Sequence, residues 1–171
     1  MPLTPFHLGP GLFLGVLTFN FLNLWAILLG STIMDFEPLI LVFVKKCYHC
    51  PHHGFFHSIL GAITGSLILA FFLFLLKDKL NKISLKFRIK QSFSFKNLFL
   101  SSLLAWLLHI FFDSLTHYDV LPFWPSLWNP LLTNRKIYWP LHFVFFFLGI
   151  FAFLILFRKI KGSFDQNKKI V

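Results

Sequence analysis

The chain has 171 residues, of which 57% are hydrophobic, 20% aromatic and only 13% charged, and its formal net charge is +10. Soluble domains carry about 25% charged residues, so this composition excludes an ordinary soluble domain and indicates an integral membrane protein. The positive charge does not indicate nucleic-acid binding, because the basic residues lie between hydrophobic segments and form no continuous stripe. Without a linker or an internal repeat, we expect one membrane domain over residues 1–171.

The first hydrophobic stretch, about residues 6–44, is too long for one span and is interrupted by Asn20 and Asn23. A bilayer core of about 30 Å takes about 20 helical residues. We therefore predict a helical hairpin, with residues 6–19 going in, a turn at 20–23, and 24–36 returning to a stop at Pro38. Each arm is short, so this prediction requires tilt, local thinning or only partial penetration of the bilayer. A single helix with a cytoplasmic N-terminus is the alternative.

Three further segments have the length of a full span, at about residues 55–76, 95–117 and 139–157. Pro140 falls in the first turn of the last segment, where a missing N–H is tolerated. Together with the hairpin, these segments predict an all-α, polytopic membrane bundle of about five membrane helices. The N-terminus lacks the basic region and cleavage site of a signal peptide, so we expect it to belong to the mature fold.

The distribution of basic residues predicts the orientation of the bundle. Twelve of the sixteen lie in the connection at about 77–96 and in the tail at about 158–171, which the positive-inside rule places in the cytoplasm. The ends that carry His57, His117 and His142 then face outwards. The outer connection, about 118–138, is rich in Trp, Tyr and Pro. We predict that it covers this face, with ordinary interfacial anchoring as the alternative.

Ionisable residues inside apolar segments are the strongest functional signal. Each costs about 2.5–3.5 kcal/mol to insert, and a divalent metal is a favourable partner for imidazoles and carboxylates. His109, Asp113 and His117 recur every four residues, and each step rotates about 40° and rises about 6 Å. His109 and Asp113 can therefore bind one ion. His117 is too distant for the same ion unless the helix ends or bends before it, which leaves a second ion, a substrate phosphate or no role. Hydrogen bonding between helices is the structural alternative.

A second histidine cluster lies before the next span. His53 and His57 are four residues apart and could share a helical face, while Gly54 would let the backbone approach closely. His49 and His52 are plausible as solvent-exposed loop residues.

A zinc knuckle is a competing interpretation of the same region. Cys47 and Cys50 form a C-x-x-C pair that could join two of the neighbouring histidines around zinc. The downstream ligand would then have to fold back tightly.

Two carboxylates close the returning arm of the predicted hairpin. Asp35 and Glu37 face opposite sides of a helix but can converge where it ends. Either could bind a metal or act as general base towards a metal-bound water, and a capping or pairing role is the alternative. His7 joins this group only if the hairpin is correct.

The chain resembles the YdjM-type family of membrane-bound proteins classed as metal-dependent hydrolases. The resemblance runs from about residue 4 to 129, in the family's order, through T-P-F-H-L-G-P-G, D-F-E-P, H-G-F-F-H-S and H-I-F-F-D-S. It implies a metal site formed by His7, Asp35, His53, His57, His109 and Asp113. Met34 stands where the family usually has Pro, and His52 precedes His53 where many members read His-Arg-Gly; neither removes a ligand. The H-x-x-x-D pattern is also weakly similar to zinc-dependent phospholipases C.

These observations favour a membrane-bound hydrolase that uses zinc or a similar divalent ion, with Asp35 or Glu37 relaying a proton. We expect an ester or phosphoester substrate reachable from the bilayer, such as a lipid headgroup, at the outer surface of the inner or plasma membrane. One alternative is a transporter of metal ions or protons, since intramembrane Asp and His also mark ion pathways. Another is a structural protein whose polar cluster only joins helices.

Overall fold

A computed structural model describes residues 6–46 and 51–168. Within these ranges the chain is helical and has no strand. The α-helices are α1 (Leu8–Leu17), α2 (Leu24–Gly30), α3 (Phe36–Lys45), α4 (Ile59–Leu75), α5 (Lys77–Lys86), α6 (Phe95–Thr116) and α7 (Tyr138–Lys168). Short 3₁₀ turns precede α3, α4 and α7.

Three helical segments in the described ranges are long and apolar enough to cross a membrane. They are Leu24–Val44, which combines α2 and α3, then α6, and Tyr138–Ser163 of α7. Helices α4 and α5 are bent by 73° relative to each other and would count as a fourth span if taken together. With the shorter apolar helix α1, this agrees with the predicted bundle of about five membrane helices.

The N-terminal region forms two helical arms, although the second is longer than predicted. Asn23 begins α2, because its side-chain oxygen accepts a hydrogen bond from the Ala26 N–H at 3.1 Å. The return arm does not stop at Pro38. Pro38 lies in the first turn of α3, where its missing N–H would have no intrahelical partner. The combined segment has 21 residues, so thinning of the bilayer is not needed for this arm.

The start of α4 also differs from the prediction. We expected a helix from about residue 55, with His53 and His57 on one face. The structure begins α4 at Ile59, because the Ser58 hydroxyl accepts a hydrogen bond from the Gly61 N–H at 3.0 Å. His53 therefore lies in a loop and His57 in a 3₁₀ turn. The expected shared helical face is wrong.

Helix α6 lies at the centre of the bundle and packs against α2 and α4, whereas α1 packs mainly along α7. The α1–α7 contact is a close backbone approach. A Cβ atom added to Gly9 would collide with the Phe145 carbonyl oxygen, and one added to Gly149 would lie 3.2 Å from the Gly9 Cα. Small residues allow this approach between membrane helices. Many large side chains on the outer faces, such as Phe143 and Phe147, are exposed, as expected of a surface that contacts lipid tails.

The two ends of the bundle differ in chemistry. At one end, the Asn23 N–H donates to the Ser101 hydroxyl at 2.8 Å and the Trp25 indole donates to the Ser84 hydroxyl at 2.7 Å. Arg88 at this end donates to the carbonyl of Ser163 in α7. The basic connection and the basic end of α7 thus lie together. The histidine and aspartate cluster lies near the other end of α6.

Candidate metal centre

His109 and Asp113 form the middle of the cluster. They are one helical turn apart on α6, both are buried, and His109 Nε2 lies 3.0 Å from Asp113 Oδ2. His109 Nδ1 donates to the Ser31 carbonyl at 2.8 Å. A carbonyl can only accept, so Nδ1 carries the hydrogen. The unshared pair of Nε2 then faces a carboxylate oxygen, which requires a shared cation, either a proton or a metal ion.

Asp35 enters the same group from the turn between α2 and α3. Its Oδ1 lies 3.2 Å from His109 Nε2 and 3.8 Å from His57 Nε2. Its second oxygen, Oδ2, is buried and has no hydrogen-bond partner in the described structure. Burying a carboxylate oxygen without a partner is unfavourable. This atom is therefore available to bind a ligand such as a metal ion.

His57 faces the group with its Nε2 atom. Its Nδ1 donates to Glu37 Oε2 at 3.0 Å, which leaves Nε2 as the free nitrogen. That nitrogen is buried, lies 3.9 Å from Asp113 Oδ2, and has no hydrogen-bond partner among the described residues. A histidine whose outer nitrogen is held by a carboxylate is the usual arrangement at zinc sites.

Glu37 itself lies outside the group and was predicted as a ligand or general base. Its carboxylate accepts from the backbone N–H groups of Gly54 at 3.2 Å and Phe56 at 3.3 Å, as well as from His57. A Cβ added to Gly54 would clash with the carboxylate, so glycine is needed for this close approach. Glu37 is placed to orient His57 and not to reach the interior of the cluster.

His7 and His53 border the cluster on two sides. His7 Nε2 lies 3.1 Å from Asp113 Oδ1, and its ring stacks on that of His109. His53 Nε2 lies 4.0 Å from Asp113 Oδ2, while its Nδ1 lies 2.9 Å from Asp119 Oδ2. The structure thus brings together all six residues that the sequence suggested as metal ligands. Their role as ligands stays a prediction.

The inner group fits a divalent metal in its donor chemistry. Asp35, His57, His109 and Asp113 each offer one ligand atom, and these atoms lie within 4.8 Å of one another. Imidazole nitrogens and carboxylate oxygens bind zinc at about 2.0–2.2 Å, usually four around the ion. His57 and Asp35 each also have a buried atom, Nε2 and Oδ2, without a hydrogen-bond partner in the described structure. The residues present therefore suit such an ion.

Several neighbouring residues were not predicted or were placed differently. Asp119 has no periodic relation to the other ligands, and only its position two residues after His117 could have drawn attention to it. Its carboxylate accepts from the backbone N–H of His52 at 2.9 Å. His52, expected in solvent, is buried. The Cys47–Cys50 pair of the alternative zinc knuckle falls outside the described residues, as does His49, which was expected in solvent.

His142 lies near the cluster without joining it. Its Nδ1 donates to the Tyr138 carbonyl at 2.6 Å, while its buried Nε2 has no hydrogen-bond partner in the part of the chain described. The Phe6 ring packs against it edge-on at 5.0 Å. No group of potential metal ligands found among the described residues includes it.

The outer connection packs onto the end of the bundle that holds the cluster. The Ile59 N–H donates to the Pro122 carbonyl at 2.9 Å, and the Trp124 ring meets Phe55 edge-on at 5.5 Å. The Thr133 N–H donates to the Leu115 carbonyl at 3.0 Å. These contacts place the connection beside the start of α4 and the end of α6, and its role as a cover of the outer face stays a prediction.

The fold and the cluster define a multi-pass membrane helix bundle with a buried His–Asp group near one end. The chain matches the family model described as YdjM inner membrane protein over residues 2–170. It therefore belongs to the YdjM family and is an inner-membrane protein. Searches among curated proteins and among solved structures gave no match.

Proposed function

We propose that this protein is a metal-dependent hydrolase that cleaves an ester or phosphoester bond in a lipid-like substrate at the outer face of the inner membrane. The observation that carries the proposal is the inward-facing donor set. His57 Nε2 and Asp35 Oδ2 are buried without a hydrogen-bond partner in the described ranges. His57 Nε2 lies 3.9 Å from Asp113 Oδ2, and the other Asp35 oxygen, Oδ1, lies 3.2 Å from His109 Nε2. Buried polar atoms are rarely left without a partner in proteins.

Asp35, His57, His109 and Asp113 would hold the ion, with His7 and His53 as further ligands from the border. A bound zinc ion supplies Lewis-acid chemistry and brings the pKa of a bound water towards about 7. Proton transfer is the task of the protein. Asp35 has a carboxylate oxygen free to hold a proton during hydrolysis.

Glu37 is assigned a positioning role in this proposal instead of the catalytic role first expected. Its oxygens are engaged by His57 and by two backbone N–H groups. It keeps the His57 hydrogen on Nδ1 and fixes the direction of the ring. Such outer partners change metal affinity or activity by about 10–100-fold when they are removed.

An apolar cavity next to Glu37 supports a lipid-like substrate. It has a volume of about 510 Å³ and lies between α3, α4 and α6. Ile40 and Leu41 of α3, with Ile68 and Phe72 of α4, are among its lining residues. An acyl chain in this cavity would have its polar end beside Glu37, at the edge of the cluster.

The test uses the full chain purified in detergent and loaded with Zn²⁺. We expect bound zinc, and hydrolysis of p-nitrophenyl esters or p-nitrophenyl phosphate, to fall at least about tenfold in Asp113→Asn. Asp78→Asn, at an exposed position of α5, is the matched control and should keep both. Asp35→Asn serves as a second variant if Asp113→Asn fails to fold.

Each result has a defined meaning. Zinc binding and hydrolysis that are both unchanged in folded Asp113→Asn and Asp35→Asn would overturn the proposal. If zinc is lost in the variants but the wild type shows no hydrolysis, the protein binds a metal and the hydrolase activity is ruled out. Absence of zinc from the wild type would leave a cluster that only joins helices.

A further inference from the structure

A second group of metal-type donors lies beside the proposed centre. His53, His117 and Asp119 each offer one ligand atom, and these atoms lie within 4.8 Å of one another. They come from the loop before α4, from the end of α6 and from the outer connection. None of the three belongs to the inner group of four ligands.

His117 reaches this position because α6 ends just before it. Its backbone is extended, with φ −109° and ψ 119°, while its N–H still donates to the Asp113 carbonyl at 2.8 Å. The ring thus leaves the helical face of His109 and Asp113 and lies 4.8 Å from the His53 ring. His117 Nε2 is buried and without a hydrogen-bond partner in the described chain.

Asp119 supplies the carboxylate of the group. Backbone N–H groups of His52 and His53 donate to its Oδ2 atom, at 2.9 Å and 3.3 Å. His53 Nδ1 lies 2.9 Å from the same oxygen. The carboxylate is thus held in place, and its side chain is 8% exposed.

The number of donors also exceeds the needs of one ion. A protein zinc ion usually takes four ligands, which the inner group already provides. Asp113 adjoins both groups, since its Oδ2 lies 3.0 Å from His109 and 4.0 Å from His53. Enzymes with two-metal sites place their ions about 3.5–4 Å apart, where both can act on one substrate.

We propose that His53, His117 and Asp119 bind a second divalent cation next to the first, so that the centre holds two ions. The inference rests on the proposed function for the role of the pair in hydrolysis, but the second site itself rests on its own three residues. His53 is thereby reassigned from the border of the first site to the second. A competing arrangement is that Asp119 only orients His53 towards the first site, which leaves His117 without a role.

His117→Gln separates these two arrangements. We would load the full chain in detergent micelles with Zn²⁺, remove loose metal, and determine ions per chain by elemental analysis against quantitative amino-acid analysis. We expect two ions in the wild type and one in His117→Gln. His142→Gln is the control, because His142 also has a buried, unpartnered Nε2 in the described structure but belongs to no ligand group. It should keep two ions.

The outcomes distinguish the two proposals. One ion in both the wild type and His117→Gln would overturn the second site and leave the first. Loss of an ion in His117→Gln, with no loss in Asp35→Asn, would support the second site while the first fails. If His117→Gln does not fold, Asp119→Asn is used, and two ions retained there would overturn the proposal. A wild type without any ion would overturn both.

Discussion

The imidazole rings of His7 and His109 lie face to face, with their centroids 3.8 Å apart and their planes 16° apart. His7 precedes α1, whereas His109 lies in α6. Asp113 contacts both rings, through Oδ1 to His7 at 3.1 Å and Oδ2 to His109 at 3.0 Å. Two charged rings at this distance would repel each other strongly, so at least one is neutral. The stack thus ties the start of the chain to the centre of the bundle.

Replacing Glu37 should weaken metal binding without removing a ligand. Glu37→Gln keeps the size of the side chain but loses the charge that holds the hydrogen on His57 Nδ1. We expect zinc affinity, measured by competition with a chromogenic chelator, to fall by about 10–100-fold. Asp78→Asn again serves as the control. An unchanged affinity would mean that Glu37 does not position a ligand.

Enlarging Gly9 should separate α1 from α7. In Gly9→Ala the added Cβ meets the Phe145 carbonyl oxygen, which is backbone and cannot move aside. We expect a loss of about 1–3 kcal/mol in the free energy of unfolding, measured by denaturant titration in micelles. Gly162→Ala is the matched control, because its Cβ meets no atom within 4 Å. Equal stabilities of the two variants would contradict the close packing.

Asn23 and Asn20 offer a second matched pair for stability. Asn23 is fully buried, and its side chain donates to the Ser92 carbonyl at 2.9 Å while accepting from the Ala26 N–H. Asn23→Ala should therefore cost about 1–3 kcal/mol of unfolding free energy. Asn20 is exposed, and Asn20→Ala should change stability by less than about 0.5 kcal/mol. Thermal unfolding in detergent, followed by circular dichroism, would measure both.

The orientation of the bundle can be tested by cysteine labelling. In a background with Cys47 and Cys50 changed to Ser, we expect Leu127→Cys to react with a membrane-impermeant maleimide outside intact cells. Lys86→Cys should react only after the membrane is permeabilised, because the positive-inside rule predicts that the basic connection faces the cytoplasm. The opposite pattern would place the cluster on the cytoplasmic side.

Filling the apolar cavity should affect long substrates selectively. Ile68 lines the cavity and is 52% exposed, so Ile68→Trp can occupy space without disturbing the core. We expect KM for long-chain p-nitrophenyl esters to rise about tenfold or more, while KM for the acetate ester stays unchanged. Phe147→Trp, on the outer face of α7, is the control. Equal effects on short and long esters would remove the cavity from the substrate site.

The parts of the site that follow from local periodicity could be predicted from the sequence. His109 and Asp113 share a face of α6 because their separation matches one helical turn, and the hairpin bringing His7 near Asp35 follows from the length of a bilayer span. The same argument failed for His53 and His57. There the Ser58 cap delays the helix, and the two rings meet at 4.6 Å through loop geometry instead.

The positions of the other site residues depend on tertiary contacts, which the spacing of residues along the sequence does not predict. Asp119 reaches His53 because a loop that follows α6 folds back over the loop that precedes α4. Glu37 stays at the edge of the cluster because the backbone N–H groups of Gly54 and Phe56, together with His57, hold its carboxylate. Such placements are determined by tertiary packing, and a single sequence gives no periodic signal for them.

The close approach of Gly9 to Gly149 also bears on how the protein is made. Helix α1 leaves the ribosome early, yet it packs mainly along α7, whose residues are synthesised after those of α2 to α6. Until α7 has inserted, α1 lacks its principal neighbour. The His7 ring then also lacks its contact with Phe145 of α7, at 5.8 Å. We therefore expect His7 to join the cluster late in biogenesis, after the segments that carry the four inner residues have been made.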